Sequence, residues 1–197
     1  MGLVLASGSR IRATLLSNAR LDFTVDPATV DERAVELPLL DAGVAPEEIA
    51  RVLAEAKALD VAARRPQDLV IGADQVLGLG NTRFTKPADR DAARRQLQTL
   101  AGQTHDLHSA VVLARGGTPL WQTVSTARLT MRSLSPDEID AYLDLAGEAI
   151  LSSVGCYQLE NVGIRLFDRI EGDYFTILGL PLLPLLGELR RLGEIAP

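Results

Sequence analysis

Two carboxylates and two ammonium groups in this chain have the makings of chemistry: Glu32 and Asp74, Lys57 and Lys86. A turn of small residues, Ser7-Gly8-Ser9, goes with them and leads into Arg10 and Arg12. Carboxylate oxygens suit hard divalent cations, and Lys and Arg suit phosphate oxygens. Together they point to phosphoryl chemistry on a small polyanion. Other familiar chemistries lack their residues. The stretch from Gly80 to Pro87 has no second glycine before Lys86, so it is not a phosphate-binding loop. Gly78-Leu79-Gly80 lacks the third glycine of a dinucleotide fingerprint, and no serine sits in a G-x-S-x-G elbow. His105 and His108 fall on an expected strand at a spacing that sends them to opposite faces, and with Cys156 they make no zinc set. All three read as structural, Cys156 as a small hydrophobe.

These groups need elements to position them. Leu3-Val4-Leu5-Ala6 is a short buried-strand candidate that breaks at Ser7-Gly8-Ser9, and Arg10 to Leu16 reads as a helix. Strand, small turn and helix together present free N–H groups, a phosphate site in some α/β proteins and a plain connection in many. Phe23-Thr24-Val25 follows, then a polar stretch with Asp31-Glu32-Arg33. Pro46 opens a helix that runs to Arg64, with Ile49, Val52, Leu53 and Ala56 as its buried stripe. Lys57 lies about 80° round that helix from Ile49. At the edge of the stripe it either reaches into a cleft or snorkels to solvent.

Leu69 to Ala73 reads as a fully buried strand that ends in Asp74-Gln75. An acid there lies where α/β sheets place ligand crevices, or else starts a turn, a reading that the apolar Val76-Leu77 disfavours. A helix from Asp89 to Leu100 stops at Gly102, and Leu107 to Ala114 with Leu120 to Met131 form a hairpin around Gly116-Gly117. Ser135-Pro136-Asp137-Glu138 is a capping box that starts a helix to Leu145. Strand-like runs at 163–167 and 175–178 and a leucine-rich helix from Leu182 to Leu192 close the chain.

At 197 residues the chain fits a single α/β domain, 1–197. Hydrophobic residues at 47% and charged residues at 23% exclude disorder and a disulfide scaffold. The 20 basic and 26 acidic residues leave a net charge of −6, against the basic footprint that nucleic-acid binding needs. Aromatics at 4% offer few platforms for stacked bases. No apolar run is long enough to span a bilayer, and the first ten residues carry no export pattern. A lone cysteine forms no intramolecular disulfide, which fits a reducing cytoplasm.

Several segments also stand in a telling order. Leu5-Ala6-Ser7-Gly8-Ser9 with Arg12 comes first, then Val30-Asp31-Glu32, Ala56-Lys57-Ala58 and Gly72-Ala73-Asp74-Gln75-Val76. Lys86-Pro87, Gly102 to His105, Ser153 to Gly155, Glu160, and Ile170 to Tyr174 with Gly179-Leu180-Pro181-Leu182 complete the series. In that order they resemble the Maf proteins, nucleoside triphosphate pyrophosphatases similar in fold to inosine triphosphate pyrophosphatases. The resemblance implies a mixed central sheet flanked by helices, with two lobes around a cleft. It implies cleavage between the α- and β-phosphates of a nucleoside triphosphate, and a homodimer.

By the same resemblance Asp74 orients or deprotonates the attacking water and shares a divalent cation (Mg, Mn or Co) with Glu32. Arg12, Lys57 and Lys86 hold phosphate oxygens, joined by the hydroxyls of Ser7 and Ser9. Gln75 and Glu160 resemble the branch that acts on 7-methyl-GTP. That branch carries Trp where Ile11 stands, so Ile11 bears on the choice of base. Ala13 stands at the family's second arginine and Thr85 at a glycine. The family has also been linked to septum formation, so the rival expectation is a non-catalytic nucleotide-binding regulator of cell division. Keeping Asp74, Glu32 and both lysines favours the enzyme.

Overall fold

Apolar runs become strands where both faces are covered, and capped periodic runs become helices. In the computed structural model, which describes residues 2–196, β1 is Leu3–Leu5 and α1 is Arg10–Asn18. They are followed by β2 (Phe23–Val25), α2 (Glu32–Asp41), α3 (Pro46–Arg64), β3 (Leu69–Leu79), β4 (Thr82–Phe84) and α4 (Arg90–Leu100). Then come β5 (Thr104–Arg115), β6 (Thr118–Met131) and α5 (Pro136–Ala146). Three 3-10 turns, Gly147–Ser152, Val154–Cys156 and Val162–Leu166, lead to β7 (Phe167–Glu171), α6 (Tyr174–Ile177) and α7 (Leu182–Arg191). Among the described residues the strands form a seven-stranded mixed sheet in the order β2-β1-β3-β5-β6-β7, with β4 paired to β3. β1 runs parallel to both β2 and β3, while β4 and β7 are antiparallel to β3 and β6. This is the mixed, helix-flanked sheet expected from the sequence.

The chain divides into two compact units. One holds the chain up to Gln75, His108–Ser125 and everything from Tyr174 onward; the other holds Val76–Leu107 and Thr126–Asp173. The first unit packs Leu5, Leu16, Ile71, Leu113, Leu185 and Leu189 into a fully closed core. In the second, Leu77, Leu97, Leu100, Leu129 and Leu143 are buried, with α4 packed on α5. No helix among the described residues is long and apolar enough to cross a membrane.

Several expectations need correction. Asp74 and Gln75 do not end β3, which continues to Leu79; they lie beyond Ile71, the last residue of β3 paired to the shorter β1. The polar stretch after Asp31 is the helix α2, capped by the Asp31 side chain accepting the Ala34 N–H, with Pro38 inside it. Val162–Leu166 is a 3-10 turn, and Gly163 permits its close folding: a Cβ there would lie 2.5 Å from the Gln158 carbonyl oxygen. Phe175 to Leu178 falls in α6 and its exit, where the Leu178 N–H bonds back to Tyr174 O instead of joining a ladder.

The buried stripe of α3 is also rotated from the expected one. Val52 and Ala56 are half-buried, and the covered row is Ile49, Ala50, Leu53, Ala54, Lys57, Ala58, Val61 and Ala62. Gly72 explains the rotation. A Cβ there would sit 2.2 Å from Ala54 O and 2.6 Å from Ala58 Cβ, so the face of small residues lies directly on β3. Lys57 is therefore carried into the buried row.

Candidate active site

All atoms of the central arrangement belong to the first unit. Lys57 is 9% exposed and Asp74 7%, so neither the boundary lysine nor the turn-starting acid describes them. Lys57 Nζ donates to Asp74 Oδ1 at 2.6 Å and pairs with Glu32 Oε1 at 2.7 Å. The Glu32 side chain is half exposed, so the group runs from a buried acid through an ammonium to an acid at the surface. Burial raises the Asp74 carboxyl above the ordinary carboxylate range; Lys57 and Arg12 oppose that rise and the like charge of Glu32 adds to it.

Arg12 stands on the other side of the strand–turn–helix junction. Ser9 caps α1 by accepting the Arg12 backbone N–H, and the Ser9 N–H is held in turn by Ser7 Oγ at 3.3 Å. The Arg12 guanidinium donates from Nε to Gly179 O at 2.8 Å, and from Nη1 to Ser7 Oγ at 3.0 Å and Ala73 O at 2.9 Å. Its Nη2 has no hydrogen-bond partner among the described residues. Burial lowers the Arg12 pKa, while the charges of Asp74 and Glu32 oppose the change. The first unit thus brings Ser7, Ser9, Arg12, Glu32, Lys57 and Asp74 together as two hydroxyls, two cations and two carboxylates linked by hydrogen bonds and charge.

The residues expected to meet the base are placed differently. Gln75 donates from Nε2 to Ser109 Oγ, Thr176 O and Ile177 O at 3.0, 3.1 and 2.9 Å. Its nitrogen is committed to the protein, and only Oε1 remains as a polar atom to offer. Ile11 is half-buried against the core of the first unit. Lys86 and Glu160 belong to the second unit, where both are exposed and Pro87 beside Lys86 is buried. His105 and Cys156 are buried there too, as structural residues: His105 Nε2 bonds Tyr157 Oη at 2.8 Å, and Cys156 Sγ donates to Gln96 Oε1 at 3.3 Å. Sequence reasoning passed over Ser109 and Thr176 and gave Gly179 only a place in a motif, because the bonds that tie them to Gln75 and Arg12 span 34 to 167 residues.

The donor set can be tested against a divalent cation. Asp74 and Glu32 offer carboxylate oxygens that meet on one cationic atom, Lys57 Nζ, so that point already has the electrostatics of a cation site. Among the described residues no three His, Cys, Asp or Glu side chains form a metal-holding group. One or two carboxylates completed by substrate phosphates are the usual way Mg²⁺ is held. As a donor pair, Glu32 and Asp74 fit a hard cation only if its remaining ligands come from outside the protein.

A family profile described as Maf-like protein matches residues 2–192. The chain belongs to the Maf family. A Maf relative from Mesorhizobium japonicum named 7-methyl-GTP pyrophosphatase is 58% identical over 193 residues, 98% of this chain and 97% of its own. One of the same name from Brucella suis is 58% identical over 189 residues, 96% and 95% of the two chains. A Maf relative from Rhodopseudomonas palustris named nucleoside triphosphate pyrophosphatase is 56% identical over 189 residues, 95% and 92%. Every candidate residue of the Maf site, from Ser7 to Glu160, lies within the matched region.

Proposed function

We propose that this Maf protein is a nucleoside triphosphate pyrophosphatase, a hydrolase that splits the α–β phosphoanhydride to release a nucleoside monophosphate and pyrophosphate. The observation that carries the reading is the buried Lys57–Asp74 pair at 2.6 Å, with Arg12 pinned beside it on Ala73 O. An ion pair in the interior costs desolvation that an apolar pair avoids, so its presence is accounted for by chemistry better than by stability. The names of the relatives at 56–58% identity point the same way.

In the proposed reaction a water attacks phosphorus while Asp74 takes its proton. The bond between the phosphorus and the bridging oxygen breaks, and the electron pair leaves on pyrophosphate. Lys57 keeps the Asp74 carboxylate oriented and, with Arg12 Nη2, meets the charge that builds on the phosphate oxygens; for Lys86 the same role rests on the family resemblance alone. The hydroxyls of Ser7 and Ser9 and the N-terminal N–H groups of α1 complete the cradle. Glu32 and Asp74 would hold the divalent cation (Mg, Mn or Co), which when bound screens the phosphates and makes the water more acidic. In the first unit Gln75 contributes to base choice through Oε1, and Ile11 offers an apolar side chain with no aromatic face for a methylated base; the family resemblance gives Glu160 the role of accepting from the N1–H and amino group of a guanine. Modified or non-standard nucleotides, 7-methyl-GTP among them, are the proposed substrates. The lone buried thiol fits work in the cytoplasm, and the family resemblance supports a homodimer.

The test is turnover on GTP, UTP, dTTP and 7-methyl-GTP with Mg²⁺, Mn²⁺ or Co²⁺, separating monophosphate from diphosphate products. Monophosphate plus pyrophosphate, abolished in Asp74→Asn, is the expected result. Triphosphate binding without turnover would replace the enzyme by the nucleotide-binding regulator.

A further inference from the structure

Ser109 is wholly buried on β5 and belongs to none of the groups assigned above to phosphate, base or cation. Its Oγ donates to Thr176 O at 2.7 Å and accepts from Gln75 Nε2 at 3.0 Å. The Thr176 carbonyl also accepts Gln75 Nε2 at 3.1 Å and the Gly179 N–H at 3.0 Å, which closes the turn after α6. Gly179, at φ +90°, turns its own carbonyl onto Arg12 Nε at 2.8 Å. Arg12 Nη1 then returns to β3 at Ala73 O, two residues before Gln75. The bonds form a closed circuit: β3, the turn, the guanidinium and β3 again.

One arm of the Arg12 fork is therefore fixed by the strand and the other by a turn whose carbonyl hub is held by Ser109. A planar guanidinium recognises phosphate only in a set orientation. A displacement of about 1 Å of a positioning group can cost a hundredfold in rate. We propose that Ser109 is a positioning residue that acts through Thr176 O and the Gly179 turn to aim the Arg12 guanidinium at the triphosphate. The proposal rests on the pyrophosphatase reading for its ligand, while the coupling of Ser109 to Arg12 can be measured without it.

Ser109→Ala removes the hydroxyl at nearly constant volume. We expect kcat/KM for the best triphosphate to fall about tenfold in the native background and by less than about twofold when Arg12 is already Ala. The second readout is the Arg12 Nε–H resonance, assigned by its loss in Arg12→Lys. Its hydrogen exchange should quicken about tenfold in Ser109→Ala, and Ser109→Cys, a weaker donor, should recover part of the protection. An equal loss of kcat/KM in both backgrounds, or Nε–H exchange indifferent to Ser109, overturns the proposal. A native protein that releases no pyrophosphate, with Nε–H exchange still governed by Ser109, removes the enzyme reading and leaves the coupling intact.

Discussion

Each unit buries a cluster of titratable side chains, and the two clusters are built on opposite principles. In the first unit Lys57, Asp74 and Arg12 are buried as charges, each facing an opposite charge or a backbone carbonyl. In the second, His105, Tyr142, Cys156 and Tyr157 are buried as neutral groups. Burial lowers His105 to about 4 against a weaker opposing pull from Asp106, and raises Cys156 to about 12 and both tyrosines well above their usual range. The ring contacts of His105, Tyr157 and Phe167, with centroids 4.8–5.9 Å apart, show what that cluster does: it fills space. On the proposed function, the charge kept in the first unit serves the reaction, while the neutral cluster of the second serves packing.

The contrast can be broken at several points. The largest effect is expected from Asp74→Asn, which should cost at least about a hundredfold in kcat with the fold retained, read by pyrophosphate release. Tyr157→Phe should leave the same assay within about twofold. If both variants lost activity alike, the division between the clusters would be wrong. Next comes stability. Lys57→Met strands a buried carboxylate and should cost about 3 kcal/mol in urea unfolding, and adding Asp74→Leu should recover most of it while activity stays absent.

The neutral cluster answers to pH instead. His105 binds its proton less readily folded than unfolded, so the unfolded chain takes up more protons as pH falls from about 6.5 toward 4. Stability from this source is complete above pH 6.5 and should drop by about 2 kcal/mol by pH 5. Urea unfolding across that range should show the slope in the native protein and a flatter one in His105→Gln. The smallest effect is the loss of the His105–Tyr157 hydrogen bond in Tyr157→Phe, about 1 kcal/mol.

What the sequence disclosed depended on how local the cause was. The capping box at Ser135, the proline-led start of α3 and the continuous apolar run of β3 were legible because neighbouring residues determine them. The paired positive-φ glycines at 116 and 117 made the β5–β6 hairpin equally plain. α2 escaped notice because Pro38 interrupts its pattern, and its Asp31 cap was read as part of a polar stretch. The family motifs picked out Lys57 and Asp74, but periodicity alone left Lys57 at a boundary, because the face that α3 buries is chosen by Gly72 on another element. Ser109 was invisible for the same reason, its partner Thr176 being 67 residues away.

Gly72 has a bearing on genetics. With no room for a Cβ beside Ala54 and Ala58, any larger residue pushes α3 off β3 and draws Lys57 away from Asp74. A mutational scan scored only by nucleotide turnover would rank position 72 with the reacting groups, although glycine contributes no reactive atom. Scored beside it for protein abundance, the same alleles would sort with core defects, and Asp74→Asn would not.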